Sequence, residues 1–415
     1  MNYFIKNIHV NKLFHLENFD IPIDNKDCQN LIITGKNGSG KTILLTAIAN
    51  YLNMIKSDTN SHYSTLENNL SFWKKQLEST SISAQEKLKA KSQIENITKQ
   101  LDAFKGKVNL SFMAVEDIID KYSHNRFVIA FYQAARKPEM SEPKNPTKPT
   151  FNRKGDVKET ATSQFLNFLS DLKIQEALAR NERQTKDADQ ISVWFNEFEQ
   201  MLKLIFEDDQ LKLEFNYRDY SFKICSEGKT FKFTQVSDGF AAIIDIVADL
   251  ILKMQDDNSL TRAYLKEGIV LIDEIETHLH LSLQKVIMPI LTKVFPNIQF
   301  IITTHSPFVL SSMDNAVAFD LEQRKPIDDL TDYTYSSLAE GYFGVRLESN
   351  NVRMRLDELS KLLSKDVLTS SEQMDVKLLI EDFEKIPEAL SPSVVGEFLQ
   401  IKLKYADRIK LALAL

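Results

Sequence analysis

The stretch Gly35-Lys36-Asn37-Gly38-Ser39-Gly40-Lys41-Thr42, GKNGSGKT, constrains the fold of this chain more than any other. It follows the apolar run LIIT and precedes ILLTAIANYL. A glycine-rich loop between a buried strand and an apolar helix imposes a β-loop-α unit, and such units assemble into parallel sheets covered by helices. The stretch meets the pattern G-x-x-x-x-G-K-[ST] at every defined position. Its glycines let backbone N–H groups approach phosphate oxygens, and the helix opening near Lys41 adds its N-terminal dipole. In a loop of this kind Lys41 reaches the β- and γ-phosphates and Thr42 ligates Mg²⁺. A glycine turn without a ligand would leave both flanks unexplained.

Such a loop needs an apolar strand ending in acid. GIVLIDE supplies one: Asp273 is expected to support Mg²⁺ and water, and Glu274 to polarise the attacking water. As a bland alternative, two acids after a strand can simply cap the next helix. Three further stretches extend the set. VSDGF opens a helix with Ser237, Asp238 and Gly239, where the chain can cradle phosphate. ETHLH, residues 276–280, directly follows the acidic pair, and IITTHSP ends a strand with His305 in reach of a γ-phosphate. Each is weak alone, and their order makes them a set.

The rest of the chain frames these motifs. YFIKNIHV, FHLENFDIPI and NLIIT alternate or run as strands, as do KVNLSFM and RFVIAFYQ. Residues 57–106 are polar with helical spacing, and read either as a solvated helical pair packed on itself or as an arm for a partner. Residues 137–163 are Pro-rich and aromatic-poor, a loop expected to be mobile; its six Lys and Arg are offset by acids, so a solvated linker outweighs a nucleic-acid arm. LKLEFNY, YSFKICSE and KTFKFTQV form a meander turning at Glu227-Gly228. GIVLIDE and IQFIITTHSP read as two parallel strands joined by a helix, and beyond residue 330 the chain is helical and charged. A net charge of −7 supplies no bulk positive field toward DNA or anionic lipid. Cys28 and Cys225 have no metal-ligand spacing and read as free thiols. With no apolar signal region at the start and no run long enough to span a bilayer, a cytoplasmic protein is expected.

Together these motifs resemble the ATP-binding-cassette ATPases, in the branch related to SMC, RecF and the overcoming-lysogenization-defect (OLD) proteins. GKNGSGKT resembles the Walker A, VSDGF the signature, VLIDE the Walker B, IETHLH the D-loop and TTHS the H-loop; Gln133 in FYQAAR is the Q-loop candidate. The signature differs from the transporter form at Asp238 and Phe240, as is usual for the OLD-like branch. The resemblance implies an α/β fold, a P-loop ATPase head with a mixed sheet and flanking helices, helical insertions and a helical C-terminal tail. The expected division is an N-terminal lobe with the Walker A (1–56), a helical insertion (57–106), strands with the Q-loop and the linker (107–163), a lobe carrying signature, Walker B and H-loop (164–330), and a helical region (331–415). ATP and Mg²⁺ are the implied cofactors. Gly35, Asn37, Gly38, Ser39, Gly40, Lys41 and Thr42 hold the nucleotide from one side, and Ser237, Asp238 and Gly239 complete the site of a second subunit. Thr42, Asp273 and Gln133 are the implied metal ligands, Glu274 the base and His305 the γ-phosphate sensor. Hydrolysis is then slow and regulated, and an ATP-linked homodimer or higher oligomer forms.

OLD proteins carry a nuclease domain after the ATPase, with a D-x-D set on strand ends; residues 331–415 show none. The tail and the aromatic stretch YTYSSLAEGYFGV resemble stand-alone ATPases of bacterial anti-phage systems, the Septu type being nearest, which work with a separate nuclease. One reading is therefore an ATPase that senses or regulates a separate effector protein, such as a nuclease. The alternative is a RecF/SMC-like repair or recombination ATPase that binds DNA; no membrane partner is expected in either. On the tail, Leu356, Leu359, Leu362 and Leu363 share a helical face that either packs on its own core or docks a partner.

Overall fold

The computed structural model describes residues 4–23, 29–56, 60–78, 83–112, 115–136, 140–143, 156–255, 265–313, 315–327, 350–365, 367–386 and 392–413. Cys28, most of the 137–163 linker and the aromatic stretch at 333–345 lie outside these residues. The chain divides into two compact units, residues 1–338 and 339–415.

The first unit is organised by one mixed sheet. Its strands, in spatial order, are β12 (Lys325–Ile327), β11 (Ala316–Asp320), β3 (Asn30–Thr34), β10 (Ile298–Thr303), β9 (Glu267–Ile272) and β5 (Phe127–Tyr132). All neighbours are parallel except β12, which pairs antiparallel with β11. Strands buried on both faces lose the usual alternation and become continuous apolar runs. Accordingly β3, β5 and β10 are buried at every position. Leu31, Ile33, Ile129, Phe131, Ile269, Leu271 and Ile301 face a core shared with Leu44, Leu45, Ile48 and Leu52 of α1 (Lys41–Lys56). The same core takes in the antiparallel sheet of β1 (Asn7–Leu13), β2 (Leu16–Pro22) and β4 (Val108–Ser111), which pair in the order β2-β1-β4.

Gly268 shows how tightly the central strands close. A Cβ there would lie 2.5 Å from the Val128 carbonyl oxygen and 2.7 Å from Ile298 Cδ1, so no side chain fits between β5 and β10. Replacing Gly268 by alanine should destabilise the fold by about 3 kcal/mol or more, because backbone must shift to relieve the overlap. Urea unfolding reads this directly, and an unchanged midpoint would refute the packing argument.

Two insertions flank the sheet. Helices α2 (Asn60–Glu78) and α3 (Ala84–Lys105) pack on each other through Leu66, Ile97 and Leu101, with Leu70 and Trp73 against them. This is the self-packed arrangement that the sequence allows for. The meander forms as expected from β6 (Lys212–Asn216), β7 (Ser221–Ser226) and β8 (Lys229–Lys232), with Glu227 and Gly228 both at positive φ in the tight turn. Helices α5 (Phe165–Asn181) and α6 (Thr185–Phe206) meet each other and the meander through aromatic side chains, Phe168 edge-on to Trp194 at 5.6 Å and Phe195 stacked on Phe222 of β7 at 6.0 Å. Four elements were not legible in the sequence: α4 (Val115–Ser123), α9 (Pro307–Leu310), β11 and β12. They are short, and β11 is defined by its parallel pairing with β3 rather than by its own pattern. Helices α7 (Asp238–Met254), α8 (Leu281–Val294) and the short α9 complete the unit.

The second unit contains α10 (Asn350–Ser364), α11 (Ser370–Glu384), α12 (Pro392–Lys404) and α13 (Ala406–Leu413). Leu356, Leu359 and Leu363 are fully buried among Val376, Ile380, Phe383 and Phe398, with Leu362 packed beside them. The leucine face of the tail thus closes the unit's own core. No helix among the described residues is long and apolar enough to cross a membrane.

Candidate nucleotide-binding and catalytic site

Parallel pairing gathers the loops after the strands along one edge of the sheet, the edge where α/β folds place their ligands. The register aligns Tyr132 with Ile272, Ile272 with Ile302, and Thr303 with Ile33. One edge therefore carries Gln133 after β5, Asp273 and Glu274 after β9, Thr304 and His305 after β10, and Gly35 after β3.

The loop after β3 turns on glycines at φ +139° (Gly35), +82° (Gly38) and +99° (Gly40), values that side-chain-bearing residues rarely adopt. A Cβ on Gly40 would also meet Leu16 Cδ1 at 2.9 Å, so the β1–β2 turn presses directly on the loop. His15 Nε2 lies 3.2 Å from the Ser39 carbonyl. Lys41, the first residue of α1, is only 5% exposed, and its Nζ donates to the carbonyls of Gly35 (2.8 Å) and Lys36 (3.2 Å). Burial lowers the Lys41 pKa, opposed by Glu274, Glu276, Asp273 and Asp320 around it. The ammonium is held over the loop as the counter-charge to four carboxylates.

Phosphate fits this loop on two observations. The Ser39 hydroxyl is buried without a hydrogen-bond partner. A Cβ on Gly38 would meet nothing within 4 Å, so the crown of the loop stands open. Asn37, Gly38 and Thr42 are exposed there. Thr42, Asp273 and Gln133 offer oxygen donors, the class that Mg²⁺ prefers. Among the described residues no cluster of three or more His, Cys, Asp or Glu forms a metal cage. None is required of an ion held jointly with phosphates.

Behind the loop the acids are held by β10. Asp273 is 2% exposed, and its Oδ1 accepts from Thr303 Oγ1 at 2.6 Å. The same Thr303 oxygen accepts the Glu274 amide at 2.8 Å. Glu274 itself sits at φ +44°, a left-handed conformation unfavourable for a residue with a Cβ. Glu276 accepts from Thr304 Oγ1 (2.8 Å) and from the His305 amide (2.5 Å), which fastens the stretch after the acidic pair to the end of β10. Burial raises the Glu276 pKa, while these donors pull it down. His305 is shifted below the ordinary imidazole range by burial and by the nearby Lys41 charge, Asp273 opposing. Both effects favour the neutral ring. Glu276 and Thr303 fall inside the D-loop and H-loop stretches, but the sequence assigns neither a role of its own; their supporting bonds appear only in the structure. The doubled Thr before His305 and the acid two residues after Glu274 were the only local signals.

The structure brings Lys41, Asp273, Glu274 and His305 together, and sets the exposed Gln133 beside Asp273, whose amide donates to the Tyr132 carbonyl at 2.8 Å. The VSDGF stretch lies elsewhere, at the N-terminus of α7. Ser237 and Asp238 are exposed, and the buried Gly239 packs so closely that a Cβ would meet the His278 carbonyl at 3.1 Å. Phe240 stacks on Phe206 at 4.4 Å, anchoring the start of α7 to the end of α6. Asp238 opens the helix, where a carboxylate complements the dipole.

Residues 31–311 match the family described as "AAA domain, putative AbiEii toxin, Type IV TA system", a span that takes in every one of these motifs. The chain belongs to this family. Among curated proteins it is 33% identical over 170 residues to the retron Vc95 probable ATPase of Vibrio cholerae, covering 40% of this chain and 32% of that one. It is 47% identical over 83 residues to the retron Ec83 probable ATPase of Escherichia coli, covering 20% and 15%. It is 31% identical over 171 residues to the Septu protein PtuA of Bacillus mycoides, covering 38% and 24%. The chain thus spans less than a third of the length of each of these relatives. Among solved structures, an SMC head bound to the C-terminal winged-helix domain of ScpA aligns with 12% identity and a TM-score of 0.37, over 76% of this chain and 94% of that one. The SMC head domain from Thermotoga maritima aligns with 14% identity and a TM-score of 0.34 over the same shares. Both scores are too low to add to the topology described above.

Proposed function

We propose that this chain hydrolyses ATP with Mg²⁺, that two copies close head to tail around two nucleotides, and that this clamp regulates a separate effector protein, such as a nuclease, in anti-phage defence. The observation that carries the ATPase reading is the buried Lys41 ammonium facing Asp273 and Glu274 across a glycine loop that contains an unpartnered Ser39 hydroxyl. In this reading Lys41 and the loop amides bind the β- and γ-phosphates, and Thr42, Asp273 and Gln133 supply oxygens to the metal. Mg²⁺ would neutralise charge developing on the transferred phosphoryl group. Glu274 accepts a proton from the attacking water, and Thr303 fixes its amide while holding Asp273. His305 makes one hydrogen bond toward the γ-phosphate. Ser237 and Gly239 act on the nucleotide of the facing copy.

The defence role is supported by the relatives' names, retron probable ATPase and Septu protein, and by the motif resemblance to stand-alone defence ATPases. The net charge of −7 gives the DNA-binding alternative no support.

The dimer is tested by mixing two variants that are each inactive alone, K41A and S237R. A mixed dimer rebuilds one composite site from the intact loop of one copy and the intact signature of the other. Random pairing should restore about a quarter of the parental rate of phosphate release. Activity no higher than the sum of the separate variants would reject signature action in trans.

A further inference from the structure

Arg136 lies four residues beyond β5, in FYQAAR, where the motif reading stops at Gln133. Its side chain turns inward and is 8% exposed. The guanidinium donates through Nη1 to the Asp273 carbonyl (3.3 Å) and through Nη2 to the Ile275 carbonyl (3.5 Å). These two carbonyls flank Glu274, the residue at φ +44°. A buried arginine demands charge partners, and it has them in Asp245 of α7, Glu276 and Asp273, which oppose the lowering of its pKa by burial. Its Nε remains buried without an acceptor. A hydrophobic residue would fill this volume without that penalty.

The chain around Glu274 needs such restraint. A left-handed residue bearing a Cβ persists only where its surroundings fix it. Thr303 does so from the β10 side, through the Glu274 amide at 2.8 Å and the Ile275 amide to the Thr303 carbonyl at 3.2 Å. Arg136 adds a second hold, on the Asp273 and Ile275 carbonyls.

We propose that Arg136 is a positioning residue for hydrolysis: its fork holds the carbonyls on either side of Glu274, fixing that carboxylate's orientation, with Asp245 of the signature helix as a counter-charge. The inference rests on Glu274 being the base. It also ties the exit of β5 and the signature helix to the catalytic turn through one side chain.

The decisive variant is R136K in the full chain. Lysine keeps the charge among Asp245, Glu276 and Asp273 but cannot span two carbonyls as a planar fork. Expected results are a kcat about 10- to 100-fold lower, from misplacement of a reacting group, with the Kd for a fluorescent ATP analogue within about twofold of parent. In an E274Q background the same change should cost less than about twofold, because there is no carboxylate left to position. A parental kcat in R136K, or an equal loss with and without Glu274, overturns the proposal, the latter outcome marking a merely structural role. Hydrogen exchange supplies a readout independent of turnover: the amides of residues 274–279 should exchange about tenfold faster or more in R136K, and unchanged protection also overturns it. R136Q takes the place of R136K if the lysine variant does not fold. If the parent shows no turnover that depends on Lys41, or E274Q matches the parent, it is the assignment of Glu274 that fails. The exchange result then still decides whether Arg136 holds the turn.

Discussion

Replacing Lys41 by alanine should abolish both ATP-linked stabilisation and turnover. Lys41 is the cation at the centre of four carboxylates, and its Nζ is held on the loop's own carbonyls rather than in solvent. Removing it takes away the cation that Asp273, Glu274, Glu276 and Asp320 share, in the space where a triphosphate would bring further negative charge; Arg136 still offsets Asp273 and Glu276. Loss of such a donor to developing charge typically lowers kcat about 10²- to 10³-fold. Loss of binding should also remove ligand stabilisation, which in the parent reaches about 2.7 kcal/mol at 100 times Kd. Phosphate release and thermal unfolding with and without ATP and Mg²⁺ check both effects. A K41A protein with the parental thermal shift and rate would end the nucleotide reading of the loop.

Glu274→Gln separates binding from chemistry. The side-chain amide is isosteric with the carboxylate, so the left-handed turn and the backbone N–H bond of residue 274 to Thr303 Oγ1 should survive, while the proton acceptor is lost. Turnover should fall about 10²- to 10⁴-fold, the usual contribution of a positioned base, with the nucleotide Kd unchanged. Without hydrolysis to release them, ATP-bound dimers should accumulate and be visible as doubled mass in light scattering after gel filtration. Parental turnover in E274Q would remove Glu274 as the base. Glu276 is a poor substitute, since both its oxygens are engaged, by Thr304 Oγ1 and the His305 amide.

The two expectations draw on different parts of the molecule. The first depends on a contiguous loop of eight residues. The second depends on Glu274 being held by Thr303, twenty-nine positions away in sequence. That contrast explains how the site was legible. Local patterns identified GKNGSGKT, the acids after GIVLI and the His after IITT, because glycine placement and buried apolar runs are properties of neighbouring residues. The meander was readable for the same reason, its turn lying at Glu227-Gly228 between alternating strands. Thr303, Glu276 and Arg136 lie inside stretches the motifs marked, but their supporting roles escaped, because a threonine, a glutamate and an arginine have no local pattern that marks them as supports. They gain that character only from the partners that tertiary structure brings to them.

The sequence by itself determined the β3-loop-α1 unit, the second acidic strand and the doubly buried character of the central strands, since these follow from residue type at fixed short spacing. Tertiary structure alone decided the strand order β12-β11-β3-β10-β9-β5, and with it the meeting of Lys41, Asp273, Glu274 and His305 on one sheet edge. It also decided which way the tail leucines face, closing them into the core of the second unit. The physical reason is that parallel pairing joins segments far apart in the chain through backbone hydrogen bonds that carry no sequence label, so their register is selected by packing on both faces rather than by any local preference.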